Sequence, residues 1–318
     1  MIGRIGAGMN ITEMSSHHLD DVAGLCEREL VLDRDAGSIP GILMRRQFIG
    51  LVAVRDSGTA GACIGSVSGD SDEDGEGFID LLVVDRASQR QGVGRELLNA
   101  MERRLAARGC EQINLAGNGP YYAWPGIDIH YTAAVCFAEE LGYLRHGCEV
   151  NMDVDLRRVS LDGARAEYQL RSAGIEVRRA DPKDDGPMQE SLGVTWQPSW
   201  VREITAALHS SQAGLYVAML GARYVGFCVY GLNRRHEVGP VGTSPDLRKL
   251  GIAGVLLKRC LADQRARGVR RAEIVWAGPL AYFSRTLSAT IGRAFWQYEK
   301  DLAATSQPPG WRDRVGLI

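Results

Sequence analysis

The chain is expected to fold as two α/β domains of similar design, and three observations carry that expectation. Its 318 residues suffice for about two domains of ordinary size. A shift of 159 residues lays "QRQGVGRELLNAMERRLAARG" (89–109) over "RKLGIAGVLLKRCLADQRARG" (248–268) without a gap. Strand-like stretches flank both copies, so each half reads as strand, glycine turn, helix, strand.

The repeat aligns Gly92 with Gly251, Leu97 and Leu98 with Leu256 and Leu257, and Gly109 with Gly268. In the first copy Val93, Leu97, Leu98, Met101 and Leu105 recur at helical spacing, and Gly109 supplies a left-handed stop. In the second, Ile252, Val255, Leu256, Cys260 and Leu261 do the same before Gly268. "FIDLLVV" (78–84) and "QINLA" (112–116) flank the first helix; "HEVGPVGT" (236–243) and "AEIVWA" (272–277) flank the second. Parallel strands joined this way call for a right-handed crossover. Upstream, "SSHHLDDVAGLCERELV" and "SWVREITAALHSS" carry helical apolar faces. "IGLVAVRDSGTAGACIGSVSG" and "GLYVAMLGARYVGFCVYGL" read as hairpins turning at Asp56 to Gly58 and near Gly221. The expected domains are 10–156 and 174–304, with a polar linker at 157–173 and a tail at 305–318.

Composition narrows the partners. A net charge of −2 asks for neither nucleic acid nor membrane. The seven cysteines are odd in number, lack C-x-x-C spacing and sit in apolar segments, as buried thiols of a reducing compartment do. With no membrane-length apolar run and no basic-then-apolar leader, the expected location is the cytoplasm. His17, His18, His146 and His209 show no metal-ligand spacing, so no metal is expected.

A glycine turn that opens a helix leaves several backbone N–H groups without intrahelical partners, and the helix dipole adds positive potential. In "QRQGVG" the N–H groups of Gln91 to Arg95 converge as an anion site, Gly92 permits close approach and Arg90 adds charge. There is no G-K-[ST], and the spacing is not G-x-G-x-x-G. The pattern [QR]-x-x-G-x-[GA], met by both "QRQGVG" and "RKLGIA", resembles the acyl-CoA-binding motif of the GNAT N-acetyltransferase superfamily. The chain resembles a tandem GNAT protein.

That resemblance implies, for each half, a mixed and mostly antiparallel twisted sheet flanked by helices. The strands before and after the turn-helix unit splay apart there to admit acyl-CoA. It assigns acetyl-CoA or another short acyl-CoA to Leu82, Val83, Val84, Gln89, Arg90, Gln91, Gly92, Val93, Gly94 and Arg95 in the first half. In the second half it assigns Val241, Thr243, Arg248, Lys249, Gly251, Ile252, Ala253 and Gly254. Pro240, with no N–H, departs from the pattern on the strand that should polarise a thioester.

Amine acylation needs a route for the amine's proton and an acid for the leaving thiolate. The resemblance places the base at Asp80, with Glu76 nearby to act through water; the aligned residue in the second half is Gly239, where only Glu237 offers a carboxylate. The family's tyrosine position is held by Ala138 and by Phe283, so Tyr131 is either the substitute acid or a packing or substrate-pocket aromatic. The insertion "GNGPYYAWPGIDIHYT" (117–132) is dense in aromatic residues. Tyr121, Tyr122 and Trp124 are its candidate acceptor wall, Asp128 an amine anchor and His130 a possible base. The acidic run 69–77 would either draw a cationic amine or serve as a solvated turn.

The expected activity is transfer of an acetyl or short acyl group from CoA to a primary amine of a small molecule, with the first half doing the chemistry. The expected assembly is a monomer or homodimer. Two alternatives stand beside it: an acyl-CoA sensor without turnover, and acylation of a protein N-terminus or lysine.

Overall fold

A computed structural model describes residues 4–5, 9–56, 58–68 and 75–303. The first half of the chain forms β1 (Arg4–Ile5), β2 (Met9–Glu13), α1 (Leu19–Glu29), α2 (Ile39–Leu43), β3 (Ile49–Arg55), β4 (Gly58–Val67), β5 (Glu76–Val84), α3 (Val93–Ala106), β6 (Gln112–Leu115), β7 (Ile127–Asp128), α4 (Thr132–Glu140) and β8 (Leu144–Asp155). The second forms α5 (Ala164–Ser172), β9 (Ile175–Arg179), α6 (Asp185–Gly193), α7 (Pro198–Leu208), β10 (Gly214–Leu220), β11 (Arg223–Tyr230), β12 (Glu237–Thr243), α8 (Ile252–Ala266), β13 (Arg271–Ile274), α9 (Leu280–Leu287) and β14 (Thr290–Asp301).

Each unit has a mixed, largely antiparallel sheet flanked by helices. In the first, β2, β3, β4 and β5 pair antiparallel, and β5 and β6 pair parallel across the α3 crossover. In the second, β9 to β12 repeat the antiparallel run, and β12 and β13 form the parallel pair across α8. The helical periodicity has its expected cause: Val93, Leu97, Leu98, Met101 and Leu105 are all at most 2% exposed against the sheet. Gly61 and Gly65 of β4 let α3 approach, since a Cβ there would lie 3.0 Å from Leu97 and 2.8 Å from Met101.

The domain boundaries differ from those expected. The first compact unit is 1–148 plus 295–318, and the second is 149–294. The strand that follows α4 pairs with β13 in the second unit, through Met152↔Ile274 to Asp155↔Arg271. The strand that follows α9 pairs with β6 in the first, through Asp301↔Gln112 to Glu299↔Asn114. Each half therefore gives away its last strand. Phe295 and Tyr298 bury their rings in the first unit's core at 0% and 1% exposure, and Lys300 Nζ reaches Glu102 at 2.9 Å. The expected linker is also structured. It contains α5, whose one buried residue, Leu170, packs in the second unit's core. The acidic run lies mostly, and the tail wholly, outside the described residues.

Of the seven cysteines, Cys136 and Cys148 are exposed and only the other five are buried, a correction to the uniform burial expected. Among the described residues no helix is long and apolar enough to cross a membrane, and no cluster of ligands could hold a metal ion.

Candidate active site

The site of the first unit begins with an irregularity in β5. Ile64 pairs with Leu81 and Gly65 with Ile79, which leaves Asp80 as an extra residue, a β-bulge. The bulge resets the alternation. Ile79 and Leu82 join the core beneath α3, while Leu81 and Val83 join the core beneath α1. The parallel ladder to β6 ends at Ile79↔Leu115, so the strands part where Leu81 to Val84 begin.

Asp80 is 3% exposed and held on both oxygens. Arg46 Nη2 donates to Oδ1 at 2.7 Å and Ser66 Oγ to Oδ2 at 2.6 Å. Arg46 Nη1 donates to the Asn118 carbonyl at 2.6 Å, and Asn118 Nδ2 donates to Ser66 Oγ at 2.9 Å. Burial raises the Asp80 carboxyl above its ordinary pKa; the Arg46 charge and the hydrogen bonds from Ser66 and Arg46 oppose that rise. A carboxylate has about four lone-pair positions, so two partners leave it room to accept a proton. Arg46, Ser66 and Asn118 were not foreseen from the sequence.

From Asp80 a cavity of about 540 Å³ runs to the glycine turn. Leu82, Val83, Val84, Gln89, Arg90, Gly92, Val93, Gly94 and Arg95, all expected at the acyl-CoA end, line it. Arg90 and Gly92 are left-handed, at φ 60° and 85°, which turns the chain sharply into α3. Substitution of Gly92 meets no atom but carries the strain of that φ. Two side chains that line the cavity brace the turn. Glu29 Oε1 accepts the Arg86 N–H at 2.9 Å, and Gln89 Nε2 donates to the Val84 carbonyl at 3.0 Å. Gln91 is held differently from its neighbours. Its side chain donates to the Ala87 carbonyl and accepts from Arg55, and it does not line the cavity.

Leu30, Trp124, Ile127, Asp128 and Tyr131 also line the cavity. The segment 127–128 is fixed by pairing with the exchanged strand, Ile127↔Trp296 and Asp128↔Phe295. Asp128 is 2% exposed, and its Oδ1 lies 2.8 Å from the backbone nitrogen and from Nδ1 of His130. His130, its side chain 62% exposed, does not line the cavity. Tyr121 and Tyr122 do not line it either: Arg45 stacks over the Tyr121 ring, and Tyr122 is buried. Glu76 stands four residues before Asp80, about 13 Å along the strand, and is outside the cavity lining. Tyr131 lines the cavity, but its hydroxyl donates to Asp33 at 3.2 Å.

The second unit repeats the frame with other side chains. Tyr230↔Val238 and Cys228↔Val241 enclose one residue of β11 and two of β12, so the bulge recurs at Gly239 and Pro240. The parallel ladder ends at Val238↔Ile274. Lys249 and Gly251 are left-handed at φ 71° and 90°, matching Arg90 and Gly92. Thr243 ends β12, Arg248 enters the turn, and Ile252, 1% exposed, anchors α8. Gly254 lies against Tyr282, as Gly94 lies against Phe137. Two of its buried carboxylates, Glu237 and Glu273, are paired across the parallel strands. Burial raises Glu237 to about 7. In Glu273, His236 and Asn151 outweigh the opposing burial and hold the carboxyl at about 2.

Comparison with known proteins agrees with this geometry. The model of the acetyltransferase (GNAT) family matches residues 23–121 and 183–279, one region in each half. Similar solved structures include a glucosamine N-acetyltransferase region of a fungal multi-domain GH3 beta-N-acetylglucosaminidase (TM-score 0.78, 17% identity). That match covers 93% of this chain, which spans only 38% of that one. A tandem GNAT protein from the clavulanic acid biosynthesis pathway matches at TM-score 0.67 and 13% identity, over 94% of this chain and 100% of its own. A GCN5-related N-acetyltransferase from Sphaerobacter thermophilus matches at TM-score 0.67 and 16% identity, over 96% and 99%. The search of curated proteins gave no match. Two matched regions, each centred on a bulge, a splay and a glycine turn, show that the chain belongs to the GNAT acetyltransferase family as a tandem N-acyltransferase.

Proposed function

We propose that the first unit transfers an acetyl or another short acyl group from CoA to a primary amine of a small molecule. One observation carries this reading: a single cavity is lined both by Gln89, Arg90 and Gly92 to Arg95 of the turn and by Asp80, Trp124 and Asp128. The turn and Leu82 to Val84 hold the acyl-CoA. The amine enters between Trp124, Asp128 and Asp80.

The amine nitrogen attacks the thioester carbonyl, the N–C bond forms and the C–S bond breaks. Asp80 takes the proton that the nitrogen loses, and that same proton passes on through solvent to the departing thiolate, which leaves as the CoA thiol with Asp80 ionised again. Burial of Asp80 supports this role by raising its affinity for that proton. Arg46 and Ser66 keep the carboxylate aimed.

The walled acceptor end favours a small molecule over a protein chain, and the glucosamine named for one structural relative makes an amino sugar a reasonable member of the test panel. The second unit, by its matching turn, is a further acyl-CoA site formed by Val241, Thr243, Arg248, Lys249 and Gly251 to Gly254. The protein works as a monomer or homodimer, without nucleic acid or membrane. Its five buried thiols and the acyl-CoA substrate favour the cytoplasm.

The test is release of CoA thiol from acetyl-CoA with amines that include glucosamine, polyamines and a lysine peptide, alongside calorimetric binding of acetyl-CoA. Turnover with a small amine and two bound acetyl-CoA per chain are expected. Binding without turnover would make the protein a sensor, and turnover on the peptide alone would make it a protein acetyltransferase.

A further inference from the structure

Asp33 lies on the connection between α1 and α2, outside the cavity lining, yet it holds two of the side chains that form the wall. Its Oδ1 accepts the Trp124 indole N–H at 2.8 Å and its Oδ2 accepts the Tyr131 hydroxyl at 3.2 Å. The N–H of the neighbouring Leu32 donates to the same Tyr131 oxygen at 3.1 Å. Three hydrogen bonds, two of them to a carboxylate, thus tie the α1–α2 connection to a segment more than 90 residues away. Bonds to an ionised acceptor are roughly twice as strong as neutral ones.

The arrangement also decides what Tyr131 can do. Handing its proton to a thiolate would leave a phenolate facing the Asp33 carboxylate, two like charges at hydrogen-bond distance. This geometry argues against Tyr131 as the proton donor. We propose that Asp33 is the positioning residue of the acceptor pocket: it clamps Trp124 and Tyr131 into one wall with the α1–α2 connection, and Tyr131 serves as wall and not as the acid. The inference rests on the reading of the first unit as the transferase site.

Hydrogen exchange on the full chain tests the clamp without any acceptor. In Asp33→Ala, exchange is expected to rise at least about tenfold in both 30–35 and 122–131, while acetyl-CoA affinity stays within about twofold. Asp33→Asn, which keeps an acceptor for Trp124, is the milder variant if Asp33→Ala folds poorly, and it should loosen 122–131 less. A rise confined to 30–35 overturns the clamp. With glucosamine as acceptor, Tyr131→Phe and Trp124→Phe should each raise KM about tenfold, less than additively with Asp33→Ala, and the alkaline limb of the kcat profile should survive in Tyr131→Phe. Disappearance of that limb, with a hundredfold fall in kcat, would make Tyr131 the acid. No turnover of glucosamine in the unaltered protein counts against the amino-sugar reading alone, and the exchange result still decides the clamp.

Discussion

The two units share a backbone and differ in chemistry. Both place a one-residue bulge in the strand before the crossover, both let the parallel pair part after it, and both turn into the helix through a left-handed basic residue and a left-handed glycine. At the bulge, however, the first unit has Asp80 held by Arg46 and Ser66, and the second has Gly239 followed by Pro240. A frame that binds a ligand and the residues that act on it are thus separable. The frame rests on backbone conformation, and the chemistry on one or two side chains set into it.

The largest break in the comparison should come from the exchanged strand. Removal of 295–318 is expected to abolish the cooperative unfolding transition of the first unit and its acetyl-CoA binding, while the second unit's transition survives. Phe295→Ala and Phe227→Ala, at rings that are both 0% exposed, should each cost roughly 3–5 kcal/mol but in different units, read by denaturant unfolding.

Chemistry is the next contrast. Asp80→Asn should lower kcat at least about a hundredfold with acetyl-CoA affinity kept, whereas Glu237→Gln should leave more than half of the turnover. Thermal unfolding measured on the same samples separates lost chemistry from the loss of Arg46's partner. Smaller effects should follow at the turns. Gly92→Ala and Gly251→Ala each force alanine to a φ near 90°, at a cost of about 1 kcal/mol or more. Calorimetry should then show one weakened acetyl-CoA site in each variant, and a Gly251→Ala trace identical to the parent's would deny the second unit its site.

The smallest contrast lies in pH. The Glu237 carboxyl is raised in the folded state from 4.5 to about 7, so it contributes stability that is complete below 4.5 and is lost as pH climbs to 7. Glu273, held near 2, contributes with the opposite sign, above 4.5 and lost as pH falls toward 2. Unfolding of the second unit at pH 5 and pH 8 should therefore differ less in Glu237→Gln than in the parent.

Much of this was legible because it is written locally. The apolar period of α3 and α8, the glycine turns and the carboxylate at position 80 need only neighbouring residues to be read. Arg46 and Asn118 reach the site from 34 and 38 residues away, and Asp33 reaches Tyr131 across 98, so no spacing announces them. α5 does not announce itself in the sequence, because a helix that buries only Leu170 shows no apolar stripe. Strand β14 shows no plain alternation, its buried rings Phe295 and Tyr298 standing three residues apart, and no local pattern names the sheet that a strand will join.

The exchanged strands also set a clock. A ribosome makes a chain from its N-terminus, and domains ordinarily close in the order in which they emerge, at about 5–20 residues per second. Here the first unit lacks Phe295 and Tyr298 until the last strand is out, and with them the partner that lays down Ile127 and Asp128. The second unit, 149–294, is fully synthesised before the first can close. The half proposed to carry the chemistry is thus the half that finishes last, and a message cut short before residue 295 is expected to yield no transferase activity from it.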